Sequence, residues 1–572
     1  MPTVEPFPGI PEITIERSVP CRLRDGVTLS ADVYRPAGDG PHPVLLMRTP
    51  YSKEGADSDV GYQHPCWYAR HGYLVAVQDC RGRFSSEGTF YPFLSEAADG
   101  YEAVEWAARL PGATGKVAMY GFSYVGATQL LAATLRPPSL VTICPGFTAS
   151  QYYEGWTYNG GAFALAFAAS WALGLAYETA RRAGDDATLD EITAAFAGLP
   201  GVHAALPLRE QSVLAAHAPY YLDWLEHSSY DEYWRRWSID EDYSRIAVPA
   251  LHIAGWWDVF LSGTVANFAG LRAGAGDEAA RAVQKLLVGP WYHCPWAALD
   301  PTGPSGQVVD DWTLRWLDHF LKGRETGVLD APATVWVENE GWRDLDGWPP
   351  SSSRPVDWFL HSGGRANTGF GDGTLSTEPP GDEPADVFVY DPAFPAPSRG
   401  GHSCCFEDVA PMGPATQNPT EALNIVLVYT SAPLERDLIL VGDATVTLHA
   451  ASSARDTDFA ARLCVVAPDG RSTNLQEGII RARFRESLSE PKPLRPGEVC
   501  EYRIGLGPVG ARIPAGCRLR VDVSSSDFPQ WDRNLNTGGT IGAEGPSAAV
   551  TATQVVLHDR TRPSRATLPV AG

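Results

Sequence analysis

The sequence predicts a mainly parallel α/β sheet domain, a helical insertion within it, and a separate all-β domain at the C-terminal end. Three observations predict this. Short apolar runs alternate with helical patterns up to about residue 145. The strand signal fades between about 149 and 244, where alanine, leucine and aromatic residues dominate. Beyond about 356, short alternating runs are separated by Pro, Gly and Asp clusters.

Residues 27–34 alternate apolar and polar, as a half-buried strand does. Residues 44–47 and 74–77 are unbroken apolar runs, expected of strands covered on both faces. A helical pattern over 97–110 stops at Pro111-Gly112, and 117–120 form the next buried strand. Helices are expected over 162–182, 189–197 and 220–237, forming a cap. Strands return at 250–254 and 285–288, followed by a helix over 310–322. The character changes near Pro349-Pro350, after which 387–390, 444–448 and 519–523 read as strands of a sandwich or jelly roll. The expected division is 1–145 and 246–355 for the α/β domain, 146–245 for the insertion and 356–572 for the β domain. A chain of 572 residues far exceeds the ~250–300 at which one core stops growing.

A net charge of -23 and a pI near 5.0 repel nucleic-acid phosphates and anionic lipid, so neither is an expected partner. No apolar run reaches the ~18 residues needed to span a bilayer, and the first residues lack a basic, then apolar, secretory pattern. The expectation is a cytoplasmic, soluble protein whose ten cysteines, none in a CxxC pair, are mostly reduced. No metal or cofactor is expected. His402, Cys404 and Cys405 lack a fourth ligand at zinc-like spacing, Asp456 and Asp458 read as turn caps, and no phosphate-cradling or dinucleotide glycine pattern occurs. Asp79 and Arg81 read as charges that brace a loop.

Gly121-Phe122-Ser123-Tyr124-Val125-Gly126 lies between a strand pattern and a helix pattern, the context in which a nucleophile elbow holds a serine hydroxyl clear of a sheet. The glycine usually found two residues after the serine comes one later, at Gly126. A serine alcohol needs a base to take its proton. Asp258 follows the strand at 250–254, and His293 follows the one at 285–288. Ser, Asp, His is the chain order of α/β-hydrolases, and all three lie past the carboxyl ends of strands. His252 lies within a strand and His319 within a helix, so both read as packed histidines. The backbone N–H of Tyr124 is the expected oxyanion donor. In the loop after the third strand Pro50 has no N–H, and the phenol of Tyr51 is a candidate second donor.

These residues resemble the cocaine esterase and X-prolyl dipeptidyl aminopeptidase (S15-like) hydrolases. The elbow is similar to their G-x-S-Y-x-G. Residues 78–88, Gly255-Trp256-Trp257-Asp258, Gly289-Pro290-Trp291-Tyr292-His293, Asp456-Thr457-Asp458-Phe459 and 524–529 are similar to further segments of that family. The resemblance implies an α/β-hydrolase sheet with an inserted helical cap and a C-terminal jelly roll, with Tyr51 as the oxyanion phenol. It implies a small-molecule ester as substrate and hints at a homodimer. It further implies a benzoyl-like acyl group held between aromatic walls, carried onto Trp156, Trp171, Phe260 and Phe406, with Cys405 standing where a leucine is found in the enzyme resembled. Val259 and Phe260 occupy the places where α-amino acid ester hydrolases of the family carry acids, so a substrate ammonium has no partner there. X-prolyl peptidase activity is not expected. Amide cleavage, acyl transfer, or a binding role for the jelly roll beside a vestigial hydrolase domain are the competing readings.

Overall fold

The computed structural model describes residues 12–38, 40–57, 64–293, 307–405, 410 and 412–572. The chain opens with β1 (Ile13–Arg22), β2 (Thr28–Pro36), β3 (His42–Thr49), α1 (Pro65–Arg70) and β4 (Leu74–Asp79). There follow α2 (Glu96–Ala107), β5 (Ala113–Phe122), α3 (Tyr124–Ala133) and β6 (Leu140–Gly146). A short hairpin, β7 (Tyr158–Asn159) and β8 (Ala162–Phe163), precedes the long helix α4 (Leu165–Ala183). The α/β pattern resumes with β9 (Leu251–Trp257) and β10 (Lys285–Tyr292).

Apart from the hairpin, these strands lie in the order β1-β2-β4-β3-β5-β6-β9-β10. The first two join antiparallel, whereas β4, β3, β5, β6 and β9 run parallel. Every residue of the two apolar runs at 44–47 and 74–77 is buried, as a strand covered on both faces requires. Leu45, Val75, Ala118, Ile253 and Leu287 belong to one core. Each fully buried valine or leucine there contributes about 1.5–3 kcal/mol over its exposed state. Helices α2 and α3 meet at Gly100, where an added Cβ would lie 2.6 Å from that of Ala132.

The chain divides into two compact units. One comprises Met1–Ser150, Trp237–Gly255 and Gly263–Thr334; the other comprises Gln151–Arg236, Trp256–Ser262 and Val335–Gly572. The second unit thus joins the helical segment to the β-rich one. Phe163 N–H donates to Asp532 (2.8 Å), Ala166 N–H to the Pro529 carbonyl (3.0 Å), and Trp531 Nε1–H to Asn159 (2.9 Å). The β7–β8 hairpin went unread because two-residue strands carry no period. The expected helix over 162–182 accordingly starts later, at Leu165. The one expected over 220–237 is two, Pro219–Glu226 and Glu232–Arg235, because Asp231 caps the second by accepting from Tyr233 N–H.

The C-terminal part is β-rich, as expected. Strands Leu427–Ser431, Arg518–Ser524, Asp458–Val466 and Ser472–Arg481 lie side by side, all antiparallel. Their inward residues, among them Leu427, Val521, Leu463 and Phe459, enter one core with Leu448 and Tyr502. Asp456 and Asp458 are not turn caps. Arg481 pairs with both oxygens of Asp458 at 2.9 Å and with Asp532 at 2.8 Å, while Arg483 pairs with Asp456 at 2.7 Å. Removing one partner of such a buried pair costs about 3–5 kcal/mol, because the other charge is stranded.

Among the described residues no helix is long and apolar enough to cross a membrane. The sulfur atoms of the neighbours Cys404 and Cys405 lie against each other. Cys21, Cys66, Cys80, Cys144, Cys464, Cys500 and Cys517 are free thiols. Burial pushes Cys80, Cys144 and Cys464 well up from the usual thiol range, so they stay protonated and unreactive.

Candidate active site

Ser123 occupies the sharp turn between β5 and α3. Its φ of 63° with ψ of -132° is a conformation that costs a residue with a Cβ about 1–3 kcal/mol. The surroundings hold it there. Ser123 N–H donates to the Gly146 carbonyl at 2.9 Å, and its own carbonyl accepts from Gly126 and Ala127 N–H at 2.8 and 3.1 Å. Gln129 fastens the turn to β6, donating to the Gly121 carbonyl and accepting from Cys144 N–H, both at 2.9 Å.

The displaced glycine of the motif has a steric reason. Gly121 adopts φ +123°, and a Cβ on it would overlap Val125, whose side chain covers that face. Gly126 is the residue that abuts β6: an added Cβ would lie 2.8 Å from the Gly146 carbonyl oxygen and 2.9 Å from Thr148. Neither neighbour is the end of a flexible side chain. Gly126→Ala is therefore expected to lose about 1–3 kcal/mol of stability, read as a lower denaturation midpoint. An unchanged midpoint would show that α3 and β6 have room to spare.

His293 lies one residue past β10, and its Nε2 stands 2.9 Å from Ser123 Oγ. The two residues are 170 positions apart in sequence. Both are nearly buried, at 6% and 9% exposure. Phe122 and Phe147 set their ring edges around the imidazole, with centroids 6.0 and 6.4 Å away, which limits its rotation. Asp258 lies one residue past β9, the strand that neighbours both β6 and β10. Its side chain is wholly buried, and its carbonyl accepts from Leu261 N–H at 3.1 Å, closing a turn into helix Leu261–Gly274.

Tyr124 begins α3, so its backbone N–H lies in the first turn, at the N-terminal end of the helix. Its phenol is otherwise engaged, donating to Glu96 at 3.1 Å and accepting from Phe93 N–H at 2.8 Å. Glu96 in turn pairs with the buried Arg48 at 2.7 Å. Burial, with Glu96 alongside, raises the Tyr124 phenol well above its ordinary range, and it stays neutral. Tyr51 follows β3 and is 37% exposed. Its N–H donates to Thr49 Oγ1 at 3.0 Å, so the phenol is the donor this residue offers elsewhere. The loop around it is tightly held. Arg83 Nε–H donates to the Pro50 carbonyl at 3.0 Å, and Lys53 N–H donates to Asp79 at 2.7 Å. Arg81 pairs with Asp99 at 2.7 Å and Asp25 at 2.8 Å. Asp79 and Arg81 thus brace loops; Arg83, which the sequence reading passed over, does so as well.

Of the residues expected to hold an acyl group, the structure gathers Trp156, Trp171 and Phe260. Trp156 stacks on Phe260 with centroids 4.1 Å apart and meets Trp171 at 5.6 Å; Phe167 and Trp224 complete the cluster. Each such pair contributes about 0.5–1.5 kcal/mol beyond burial. Phe406 lies outside the described residues. Cys405, which stands where the resemblance places a leucine, is exposed, with its sulfur against that of Cys404. His252 is a core histidine: burial lowers it to about 4, and Gln284 bonds its ring at 3.0 Å. His319 bonds the Arg324 carbonyl at 3.1 Å from its helix.

The model of the X-Pro dipeptidyl-peptidase (S15 family) matches residues 25–295, and that of the X-Pro dipeptidyl-peptidase C-terminal non-catalytic domain matches 326–567. Cocaine esterase of Rhodococcus sp. is 34% identical over 97% of this chain and 98% of its own. An aminopeptidase from a marine sediment archaeon, Thaumarchaeota archaeon, superposes with a TM-score of 0.82 at 25% identity, covering 100% of this chain and 98% of that one. An α-amino acid ester hydrolase shares the fold with the same TM-score at 24% identity, over 100% and 98%. With Ser123 on a strained elbow and the His293 ring beside its hydroxyl, the chain is a serine hydrolase that belongs to the S15 family, alongside cocaine esterase.

Proposed function

We propose that this protein is a carboxylesterase that cleaves esters of aromatic, benzoyl-like acids through an acyl-enzyme. The observation that carries the proposal is the 2.9 Å separation of His293 Nε2 from Ser123 Oγ, because it supplies the base that a serine nucleophile lacks by itself. As Oγ attacks the ester carbonyl carbon, Nε2 takes its proton. Asp258 is the proposed acceptor of the Nδ1–H, which keeps Nε2 basic and steadies the imidazolium that forms. The oxyanion receives hydrogen bonds from Tyr124 N–H and the Tyr51 phenol. Collapse of the tetrahedral intermediate breaks the ester C–O bond, and the departing alcohol takes the proton back from His293. A water then repeats the sequence, leaving free acid and free enzyme.

The similarity to cocaine esterase supports an ester as substrate, and the Trp156, Trp171 and Phe260 cluster supports an aromatic acyl group. Phenyl benzoate, phenyl acetate and N-phenylbenzamide separate the alternatives. The benzoate is expected to have the highest kcat/KM. Equal values for the two esters would remove the aromatic preference, and faster turnover of the amide would make the protein an amidase. Tyr51→Phe is expected to lower kcat for phenyl benzoate by about 10²–10³-fold with little change in KM, since an oxyanion donor acts only in the transition state. Near-normal kcat in that variant would take the phenol out of the mechanism.

A further inference from the structure

His402 approaches Glu477 on strand Ser472–Arg481 so closely that a Cβ on the preceding Gly401, at φ +99°, would overlap the carboxylate. Its ring makes two bonds. Nδ1 is 2.8 Å from Glu477 Oε1, and Nε2 is 2.8 Å from the main-chain carbonyl oxygen of Trp256. A carboxylate and a carbonyl oxygen only accept. A neutral imidazole carries one N–H, so making both bonds at once requires the imidazolium.

The surroundings agree with that charge. Glu477 is buried, and its Oε1 also accepts from His402 N–H at 2.6 Å and Gln530 Nε2–H at 3.2 Å. Burial alone would raise the Glu477 carboxyl, but the His402 charge and its bonds bring it down to about 2. Burial alone would lower His402, and Glu477 outweighs it, so the imidazole is held above its ordinary value. The other charged groups in reach are Asp258, which favours the imidazolium, and Arg462 and Asp527, paired with each other behind Glu477.

Trp256 stands two residues before Asp258. Its indole N–H is fixed by the Trp336 carbonyl, and a Cβ on Gly510 would overlap its ring. We propose that His402 and Glu477 form a positioning pair: the imidazolium pins the Trp256 carbonyl and so fixes the strand end that presents Asp258. This rests on Asp258 being the acid of the triad. The sign with pH is definite. A histidine raised on folding gives its full contribution below its unfolded value near 6.5 and loses it as pH climbs through the higher folded one.

The test uses the full-length enzyme with phenyl benzoate across pH 5.5 to 10. His402→Gln, which keeps an amide donor but no charge, is expected to lower kcat about tenfold with KM changed less than about twofold. Glu477→Gln is expected to move the alkaline loss of kcat to lower pH by about one unit, because the imidazolium loses its counter-charge. Imidazole ¹⁵N signals of the wild-type protein, with that of His402 identified by its disappearance in His402→Gln, are expected to show both nitrogens protonated at pH 7. In an Asp258→Asn background, His402→Gln should cost less than about twofold more, since both changes act through one group. Unchanged kcat in a His402→Gln protein that melts like the wild type, fully multiplicative losses, or a neutral imidazole signal would each overturn the proposal. If His402→Gln does not fold, Glu477→Gln still decides it, through the alkaline shift in kcat and through the imidazole signal that its loss of counter-charge displaces, which identifies His402 in the wild type. Wild-type turnover in Asp258→Asn alone would instead remove Asp258 from the triad, an outcome the imidazole signal does not share.

Discussion

In the Ser123→Ala variant, kcat for an aryl ester should fall by about 10⁶-fold, the scale seen when a serine hydrolase loses its nucleophile. The reason is that nothing else in the elbow can form the acyl bond. The bonds by which Ser123 itself holds the turn are main-chain: Ser123 N–H to Gly146, and Gly126 and Ala127 N–H to Ser123. Alanine keeps all of them and inherits the same φ of 63°, so the denaturation midpoint should move little. A fluorophosphonate, read by intact mass and peptide mapping, should add once to the wild type at Ser123 and not to the variant. An adduct on the variant, or turnover within about tenfold of wild type, would mean that another group is the nucleophile.

Asp258→Asn should lower kcat by about 10⁴-fold at neutral pH while leaving the fold intact. The argument turns on which ring nitrogen carries the proton. A carboxylate accepts the Nδ1–H, leaving the Nε2 lone pair to face the serine hydroxyl 2.9 Å away. An asparagine that presents its amide N–H₂ to Nδ1 favours the opposite tautomer. Nε2–H then points at Oγ, and the ring becomes a donor where a base is needed. The substitution conserves volume at a wholly buried position, so no cavity is opened. Steady-state kinetics with phenyl benzoate would show the loss in kcat rather than KM. A loss below about tenfold would assign the orientation of His293 to some other group.

Local pattern went far with this chain. The buried strands were readable because a strand covered on both faces must be apolar throughout, as at 44–47 and 74–77. The elbow was readable because a strand-to-helix turn held at positive φ, with β6 pressed against its helix, leaves glycine at Gly121 and Gly126. Order along the chain then singled out His293, and its ring stands beside Ser123. Position near a strand end separated it from His252, whose buried ring bonds Gln284.

What the sequence by itself determined was therefore whatever repeats or constrains the chain over a few residues: the apolar strands, the long helices, the elbow, and the serine and histidine set at strand ends. Only the tertiary structure decided the pairings. Arg481 with Asp458, Arg83 with the Pro50 carbonyl, and His402 with both Glu477 and the Trp256 carbonyl join segments up to 146 residues apart. A lone arginine or histidine leaves no periodic trace of its partner. Its charge state depends on the acceptors that folding brings within about 3 Å, and a burial energy of several kcal/mol per ion then fixes the choice.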